Sequence, residues 1–262
     1  MDAADKIADG DYSPRLHLKG SDEIRQLGQK FNHMAEELGS VEMLRKDFIN
    51  NFSHEFKTPI VSIRGFAKML KLDELSNEER DEYLNIIISE SERLSDLATH
   101  VLDLSKIEQQ SILTDKSRFN ITEQIRRCIA LLDGKWAEKK ISFDFNCQEY
   151  YFTGNEKMME QVWINLIDNA IKFSPDESTV SISIFSENDS LTVSIADSGS
   201  GIDESAQPYI FDKFYQADVS HSTKGNGLGL TIAQKIISLH NGTIQVTSSK
   251  RNGTLIRVKL KT

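Results

Sequence analysis

The sequence predicts a multidomain protein, in which a long helical hairpin forms a dimeric four-helix bundle and an α/β sandwich domain follows it. Apolar residues recur every three or four positions up to about residue 110, which is the spacing of amphipathic helices. After about Ser117, short runs of alternating apolar and polar residues lie between helical segments, as in a mixed α+β domain. We therefore expect three parts, at residues 1–40, 41–112 and 117–262.

Composition narrows the class of protein. The 262 residues are 39% hydrophobic and 27% charged, which is ordinary for a globular protein. A net charge of -9 repels phosphate backbones and makes nucleic acid an unsuitable partner. Cys128 and Cys147 lack metal-ligand spacing and are expected to be reduced cysteines. No window approaches the roughly 18–20 apolar residues that span a bilayer, so we expect the chain itself to be soluble.

The first two parts are predicted to be helical, with helices at 21–38, 41–72 and 78–110. The apolar seam of the first helix consists of Ile24, Leu27, Phe31, Met34 and Leu38. The segment DELSNEE makes a turn in which Ser76 or Asn77 is expected to cap the third helix. Because each helix of the hairpin has a single apolar stripe, the pair needs a second copy to close a bundle. This pattern predicts a homodimer.

The third part mixes helices and strands. The predicted helices are 121–137, 155–171 and 227–241, and the predicted strands include 141–145, 180–184 and 191–195. The last two strands alternate apolar residues with serine and threonine around the polar turn SENDS, which predicts a hairpin with one buried face. A closing pair of strands brackets the turn Lys250–Gly253.

One face of the helix that follows Glu160 carries polar groups at helical spacing. Asn165, Asn169 and Lys172 stand at i, i+4 and i+7, and therefore share a face. Two amides and a cation in a row can hold a metal ion and the phosphates bound to it. Taken alone, the same pattern is equally compatible with a solvated polar face.

Two glycine-rich turns follow this helix. An Asp at a strand end, such as Asp197, can accept a hydrogen bond from an exocyclic amine, and the glycines of 196–202 let backbone approach a flat ring. Residues 225–230 read Gly-Asn-Gly-Leu-Gly-Leu directly before a helix, where free N–H groups and the helix dipole favour phosphate. The spacing is neither a Walker A loop nor a dinucleotide fingerprint. The three elements in this order predict a nucleotide site.

A candidate nucleophile lies on the first helix of the hairpin, where residues 52–59 read FSHEFKTP. His54 falls off the apolar seam and should face water. Glu55 could accept an imidazole proton, and Thr58, four residues on, could orient a water molecule. Pro59 removes one intrahelical bond and should bend the helix. The remaining histidines are expected to be surface or capping residues, with a structural role for the last: His17, His33, His100, His221 and His240.

The sequence resembles the sensor histidine kinases of two-component systems. The segments NLIDNAIKFS, DSGSGI, IFDKFYQAD and GNGLGL are similar to the four boxes of their GHKL (Bergerat) ATP-binding domain, and FSHEFKTP to the phosphoacceptor box. The resemblance implies ATP and Mg²⁺ as cofactors. It places Asn169 and Asn165 at Mg²⁺, Asp197 at the adenine amine and Lys172 at the phosphates. It places the remaining nucleotide contacts at Gly199, Gly201, Ile202, Lys213, Phe214, Lys224, Gly225, Gly227, Leu228, Gly229 and Leu230, with Phe211 beside Phe214 at the start of the lid.

The resemblance also implies a reaction and partners. Members of the family phosphorylate their own histidine, here His54, and pass the phosphoryl group to an aspartate of a response regulator. The HExxT spacing from His54 to Thr58 is similar to that of members that also dephosphorylate the regulator. Residues 1–40 resemble the second half of a HAMP module, which implies a bacterial parent protein anchored in the plasma membrane with this part in the cytoplasm.

Two other interpretations remain open at the level of sequence. An ATP-hydrolysing machine of the same fold would turn over ATP without phosphorylating His54, and a non-catalytic scaffold would carry a damaged nucleotide box. The lid between Ala217 and Lys224 is short, so Lys224 and Lys213 are both candidates for the cation at the γ-phosphate. Whether phosphorylation occurs within or between subunits depends on the loop 72–77.

Overall fold

The chain folds as two compact units that divide between Leu75 and Ser76. The computed structural model describes residues 2–72, 75–216, 225–250 and 252–261. Long helices come first and a layered α/β domain follows, so the predicted order of fold classes is confirmed. Within these ranges, no helix combines the length and the apolarity that crossing a bilayer requires.

The first unit is dominated by one helix. After the short helix α1 (Asp2–Ala8), helix α2 runs without interruption over 48 residues, Asp22–Met69. The predicted break between residues 38 and 41 is therefore wrong. A glycine inside a helix costs only about 1 kcal/mol relative to alanine. At Gly39 the missing side chain leaves room for Tyr12, whose Cβ would lie 3.2 Å from an added Cβ.

The segment that precedes α2 is fastened to the helix by an amide side chain. The Asn32 Nδ2 donates to the carbonyl of Leu16 at 2.9 Å, and its Oδ1 accepts the Leu16 N–H at 2.6 Å. Leu18 lies against Gly28, at a point where a side chain on the helix would be crowded. These contacts fix the extended segment along the first turns of α2.

The second unit begins with helix α3 (Asn77–Glu108). Ser76 caps it, as predicted for this turn. The Ser76 Oγ accepts the Glu79 N–H at 3.1 Å, and the Glu79 carboxylate accepts the Ser76 N–H at 2.9 Å, which completes a capping box. Near its other end α3 buries Leu97, Leu104 and Ile107.

The α/β domain is a five-stranded sheet covered on one face by helices. Its strands are β2 (Ser142–Asp144), β4 (Thr179–Glu187), β5 (Ser190–Asp197), β6 (Thr243–Ser248) and β7 (Thr254–Lys261). Their order is β2-β4-β5-β7-β6, and every neighbouring pair is antiparallel except β2 with β4. The predicted hairpin is β4–β5, which turns at Asn188 and Asp189, both with positive φ.

The helices of this domain are α4 (Ile121–Leu131), α5 (Asp133–Glu138), α6 (Glu156–Phe173) and α7 (Gly229–Leu239). The predicted helix 121–137 is wrong in one respect, because the chain leaves helical geometry at Leu132 and starts again as α5. A second sheet was not predicted. It pairs β1 (Ser117–Asn120) with β3 (Tyr151–Gly154).

The sheet has one apolar and one polar face, as the alternating pattern predicts. Val180, Ile182, Val193, Ile195 and Val258 are buried beneath the helices. The serines and threonines between them lie on the other face. The strand ends and helix ends that this layer brings together form the candidate site.

Candidate functional site

Helix α6 positions the first group of predicted site residues. Asn155 caps the helix by accepting the Met158 N–H at 3.0 Å. One face of α6 is buried, including Val162, Trp163 and Leu166, which fixes its rotation about its axis. The opposite side holds Asn169 and Lys172 half-buried.

Asn165 is the buried member of this group, with 9% of its surface exposed. Its Nδ2 lies inside the protein without a hydrogen-bond partner among the described residues. A buried polar group left in that state costs about 1–3 kcal/mol. Its Oδ1 faces Gly229, where an added Cβ would lie 3.4 Å away. An amide held in this way is suited to a ligand that supplies the missing acceptor.

The end of α6 is held by a lysine that the sequence analysis missed. The Lys139 Nζ donates to the carbonyls of Ile171, Lys172 and Ser174 at 3.1, 2.9 and 2.8 Å. A cation satisfies the last carbonyls of a helix and interacts favourably with its dipole. The signal for this role is weak in sequence, because Lys139 precedes these residues by more than thirty positions.

Asp197 stands at the end of β5, as predicted. Its Oδ1 accepts two backbone N–H groups, from Gly199 at 2.9 Å and from Thr254 at 3.1 Å. Oδ2 is therefore the atom with which this carboxylate can accept an adenine amine. Burial raises the pKa of Asp197, and the two backbone hydrogen bonds oppose that rise.

The glycines after Asp197 lie where side chains cannot fit. A Cβ on Gly199 would be 2.5 Å from the Phe173 carbonyl oxygen. On Gly201, which has φ +72°, it would be 2.0 Å from the Ser249 carbonyl oxygen. The turn can therefore pack closely between the end of α6 and the end of β6.

Residues of the last strand pair support this turn. The Ile202 N–H donates to the Ser248 Oγ at 2.8 Å, and that hydroxyl donates to the Gly253 carbonyl at 2.8 Å. Gly253 approaches Asp197 so closely that a Cβ would lie 1.9 Å from the Asp197 carbonyl oxygen. Ser248, Gly253 and Thr254 are functional candidates that the sequence analysis missed.

The second glycine-rich turn also lies against α6. A Cβ on Gly225 would lie 2.2 Å from the Lys172 Nζ. Burial lowers the pKa of Lys172, whose Nζ also lies 4.6 Å from the centroid of the Phe173 ring. The structure thus brings the predicted phosphate-facing lysine against the predicted phosphate-binding turn.

The remaining residues of this turn pack inward. Gly227 has φ +66°, and an added Cβ would lie 2.7 Å from the Phe214 Cα. The Phe214 N–H donates to the Gly227 carbonyl at 3.0 Å, and the Thr231 Oγ1 donates to the Phe211 carbonyl at 2.8 Å. Leu228 is fully buried, and Leu230 is half-buried.

Of the two candidate lid cations, the structure describes Lys213 but not Lys224. The Lys213 Nζ lies 2.7 Å from a carboxylate oxygen of Glu108 on α3. Lys224, with the rest of the predicted lid from Ala217, lies outside the described residues, as do Asp73 and Glu74 of the loop 72–77.

Helix α3 makes two further polar contacts with the α/β domain. The His100 Nδ1 and the Asn226 Nδ2 are 2.7 Å apart, so the prediction of His100 as a surface or capping residue is wrong. The Gln161 Nε2 donates to an Asp103 carboxylate oxygen at 3.0 Å.

These residues fit Mg·ATP. The orphaned amide of Asn165, the available Oδ2 of Asp197 and the glycine turns form a cradle that added Cβ atoms would fill. The Nδ2 of Asn165, which has no partner among the described residues, can donate to a phosphate oxygen. Amide oxygens, such as those of Asn165 and Asn169, suit Mg²⁺, which binds through few protein ligands and shares substrate phosphates.

The candidate phosphoacceptor lies on α2, in the first unit. His54 is exposed, and Glu55 beside it is half-buried. The Thr58 Oγ1 donates to the His54 carbonyl at 3.2 Å, and α2 continues past Pro59 to Met69. The ring of Phe52 lies 4.4 Å from that of Phe56, centroid to centroid.

Comparisons with known proteins agree with this arrangement. A family model described as "Histidine kinase-, DNA gyrase B-, and HSP90-like ATPase" matches residues 154–262. The "His Kinase A (phospho-acceptor) domain" matches 44–110, and the "HAMP domain" matches 1–40.

Curated relatives and solved structures extend the match. A "Heme sensor protein HssS" of Staphylococcus epidermidis is 33% identical over 98% of this chain and 56% of its own length. The protein of that name from Staphylococcus aureus (strain MW2) is 32% identical with the same coverage. The chain thus spans about half the length of these relatives.

Among solved structures, the histidine kinase ThkA, crystallised with the response regulator protein TrrA, has a TM-score of 0.68 and 28% identity. The match covers 82% of this chain and 61% of that one. The Acinetobacter baumannii histidine kinase AdeS has a TM-score of 0.64 at 23% identity, covers 79% of this chain and 97% of its own, and supports the fold.

The fold and the site define a protein that joins an ATP-binding domain of the gyrase and HSP90 type to a phospho-acceptor helix. The preceding HAMP match and the similarity to sensor kinases narrow that class. The chain belongs to the sensor histidine kinases of two-component systems.

Proposed function

We propose that this protein is an ATP-dependent protein-histidine kinase that phosphorylates its own His54. The observation that carries the proposal is the orphaned, buried Asn165 amide beside a glycine-rich turn, in a chain that also exposes His54 on a phospho-acceptor helix. An ATP-hydrolysing machine of this fold has no use for that histidine.

Each chemical group of the nucleotide has a proposed contact. Asp197 accepts the adenine amine through Oδ2, and the exposed face of Phe173 is available to the base. Lys172 and the N–H groups of residues 225–230 bind phosphates. Asn169 and Asn165 hold Mg²⁺, which neutralises charge on the phosphates when it is bound.

The proposed reaction is an in-line displacement. A nitrogen of the His54 imidazole forms a bond to the γ-phosphorus, and the bond from that phosphorus to the ADP oxygen breaks. Glu55 accepts the imidazole proton, directly or through water. Because phosphoryl transfer depends mainly on positioning, an exposed nucleophile on a rigid helix suits it.

We infer that the phosphoryl group then passes to an aspartate of a response regulator. The similarity to ThkA, which was crystallised with such a regulator, supports this step. The protein acts as a homodimer, since α2 exposes apolar residues along much of its length. They are Ile24, Leu27, Met34, Leu38, Val41, Met43, Ile49, Ile60, Val61 and Met69.

Residues 1–40, 41–112 and 117–262 serve as signalling module, phosphotransfer hairpin and catalytic domain in this proposal. The HAMP match and the greater length of the relatives support a parent protein anchored in the plasma membrane, with this portion in the cytoplasm.

The decisive experiment is autophosphorylation with γ-labelled ATP and Mg²⁺. We expect acid-labile, alkali-stable label on the wild type and none on His54→Gln. His33→Gln is the matched control, because His33 is an exposed histidine on the same helix and should keep the label. Equal labelling of wild type and His54→Gln would place the acceptor elsewhere and refute the proposal.

A second activity is proposed for Thr58, the dephosphorylation of the regulator. Its hydroxyl lies one turn after His54 and is anchored to the His54 carbonyl. We expect Thr58→Ala to keep autophosphorylation within about twofold and to lose most phosphatase activity, with Ser53→Ala as a control. Loss of kinase activity with phosphatase activity intact would contradict the assignment.

A further inference from the structure

The carboxyl end of α6 lacks a donor that a helix can receive from the chain that follows it. The carbonyl of Ile171 would pair with the N–H four residues on, but that residue is Pro175, which has no N–H. The Lys139 ammonium replaces this donor. It donates to three carbonyls of one segment, those of Ile171, Lys172 and Ser174, at 3.1, 2.9 and 2.8 Å. An ammonium has three protons to donate, so this one is fully used on the end of α6.

Lys139 is also fixed at its own backbone. It is the C-cap residue of α5 and is half-buried, and its carbonyl accepts the Glu177 N–H at 2.8 Å. Glu177 lies just before β4, which pairs with the edge strand β2 a few residues after Lys139. The neighbouring Lys140 differs, because it is exposed and its Nζ pairs with the exposed Glu177 carboxylate at 2.8 Å. The Lys139 side chain therefore ties the end of α6 to the edge of the sheet.

The turn that Lys139 holds carries three features of the proposed nucleotide site. The Lys172 Nζ lies 4.6 Å from the centroid of the Phe173 ring. Gly225 packs so closely on that Nζ that an added Cβ would overlap it. The Phe173 carbonyl lies against Gly199, where an added Cβ would be 2.5 Å from its oxygen. The backbone that Lys139 fixes is thus the backbone from which the phosphate-facing lysine projects.

We propose that Lys139 is a positioning residue for ATP binding, which acts through Lys172 and does not touch the nucleotide itself. Its hydrogen bonds fix the last turn of α6, so that the Lys172 ammonium is held beside the glycine-rich turn 225–230 before a phosphate arrives. Preorganisation of this kind raises affinity, because less conformational freedom is lost on binding. The inference rests on the proposed ATP site and adds to it a residue that lies outside the nucleotide boxes.

The test is a double-mutant cycle between the two lysines. ATP affinity with Mg²⁺ is measured by calorimetry on the wild type, Lys139→Met, Lys172→Met and the variant with both changes, after circular dichroism has shown each to be folded. Methionine keeps an unbranched side chain and removes the donors. We expect Lys139→Met to weaken ATP binding about tenfold in the wild-type background but less than about twofold in the Lys172→Met background. A lysine that serves only the stability of the domain would have the same effect in both backgrounds.

The matched control is Lys140→Met, which changes the neighbouring exposed lysine and should leave ATP affinity unchanged. An equal loss of affinity from Lys139→Met in both backgrounds, or no loss in either, would overturn the inference and leave the proposed function standing, since the wild type would still bind ATP. A wild type that does not bind ATP would refute both. If Lys139→Met fails to fold, Lys139→Gln, whose shorter side chain keeps a donor, replaces it in the same cycle under the same criterion.

Discussion

Helices α2 and α6 both carry proposed site residues, but they hold them in opposite ways. Of the residues described in α2, only Gly28, Ala35 and Pro59 are buried, whereas eight of the eighteen residues of α6 are buried. Packing fixes the amides of α6 before any ligand arrives. In α2, by contrast, the chemistry is displayed on an exposed surface. The catalytic domain is therefore expected to be self-sufficient, and α2 to depend on a second copy.

The substitution with the largest expected effect disturbs the packing around Asp197, the residue proposed to contact adenine. In Gly253→Ala the new Cβ would overlap the Asp197 carbonyl oxygen at a residue with φ +76°. We expect ATP affinity to fall at least about 100-fold and unfolding free energy to fall by about 3 kcal/mol. Calorimetry and urea titration measure both effects.

Gly134→Ala provides the control, because nothing lies within 4 Å of its added Cβ and α5 tolerates alanine. It should bind ATP normally. Wild-type ATP affinity in Gly253→Ala would show that the close approach to Asp197 does not position that carboxylate.

Asp197→Asn separates function from stability within the same domain. The pKa of Asp197 is raised in the folded state. Above that pKa the folded protein carries an unfavourable buried charge, and the substitution removes this charge. We expect ATP affinity to fall about 100-fold, with the melting temperature at pH 7.5 unchanged or higher.

Asp189→Asn, in the exposed turn of the β4–β5 hairpin, is the matching control for Asp197→Asn. Normal ATP binding by Asp197→Asn would show that Asp197 does not contact adenine.

The dependence of α2 on a partner is tested at Ile60, which is 48% exposed. Burying an aliphatic side chain contributes about 1.5–3 kcal/mol, so Ile60→Glu should weaken dimerisation by roughly 10- to 100-fold. Sedimentation equilibrium measures the change. Lys57→Glu, on an exposed polar position of the same turn, should leave the dimer intact; equal weakening in both variants would indicate a charge effect instead.

The smallest expected effect concerns His240, which is buried and neutral. Its Nε2 accepts the Asn155 N–H at 3.0 Å, and its Nδ1 donates to the Ile236 carbonyl at 2.8 Å. Burial lowers its pKa, so the folded state loses stability as pH falls below the ordinary histidine value of about 6.5. This contact links the end of α7 to the cap of α6.

We expect His240→Gln to flatten the pH dependence of the unfolding free energy between pH 5 and 7.5, as measured by urea titration. His33→Gln should keep the wild-type profile, because His33 is exposed. Identical slopes in all three proteins would mean that His240 does not link folding to protonation.

Helical spacing and strand alternation predicted which candidate site residues share a helix face or stand at a strand end. The spacing of Asn165, Asn169 and Lys172 predicts a shared helix face, and alternation places Asp197 at a strand end. Whether these residues bind nucleotide remains a proposal.

The supporting residues could not be predicted in the same way. Thr254 reaches Asp197 across 57 positions, and Asn226 reaches His100 across 126. No periodicity encodes such contacts. The continuity of α2 could not be predicted from local patterns either. Tyr12 packs on Gly39, and such a tertiary contact can override local propensity.

The continuity of α2 has a mechanical consequence. The forty-eight residues of α2 form a helix about 72 Å long. Asn32 is hydrogen-bonded to Leu16 near one end, and His54 lies farther along. Because the helix is uninterrupted, rotating it at Asn32 would turn His54, the proposed phosphoacceptor, by the same angle. An input at the amino-terminal end therefore changes the direction in which His54 points.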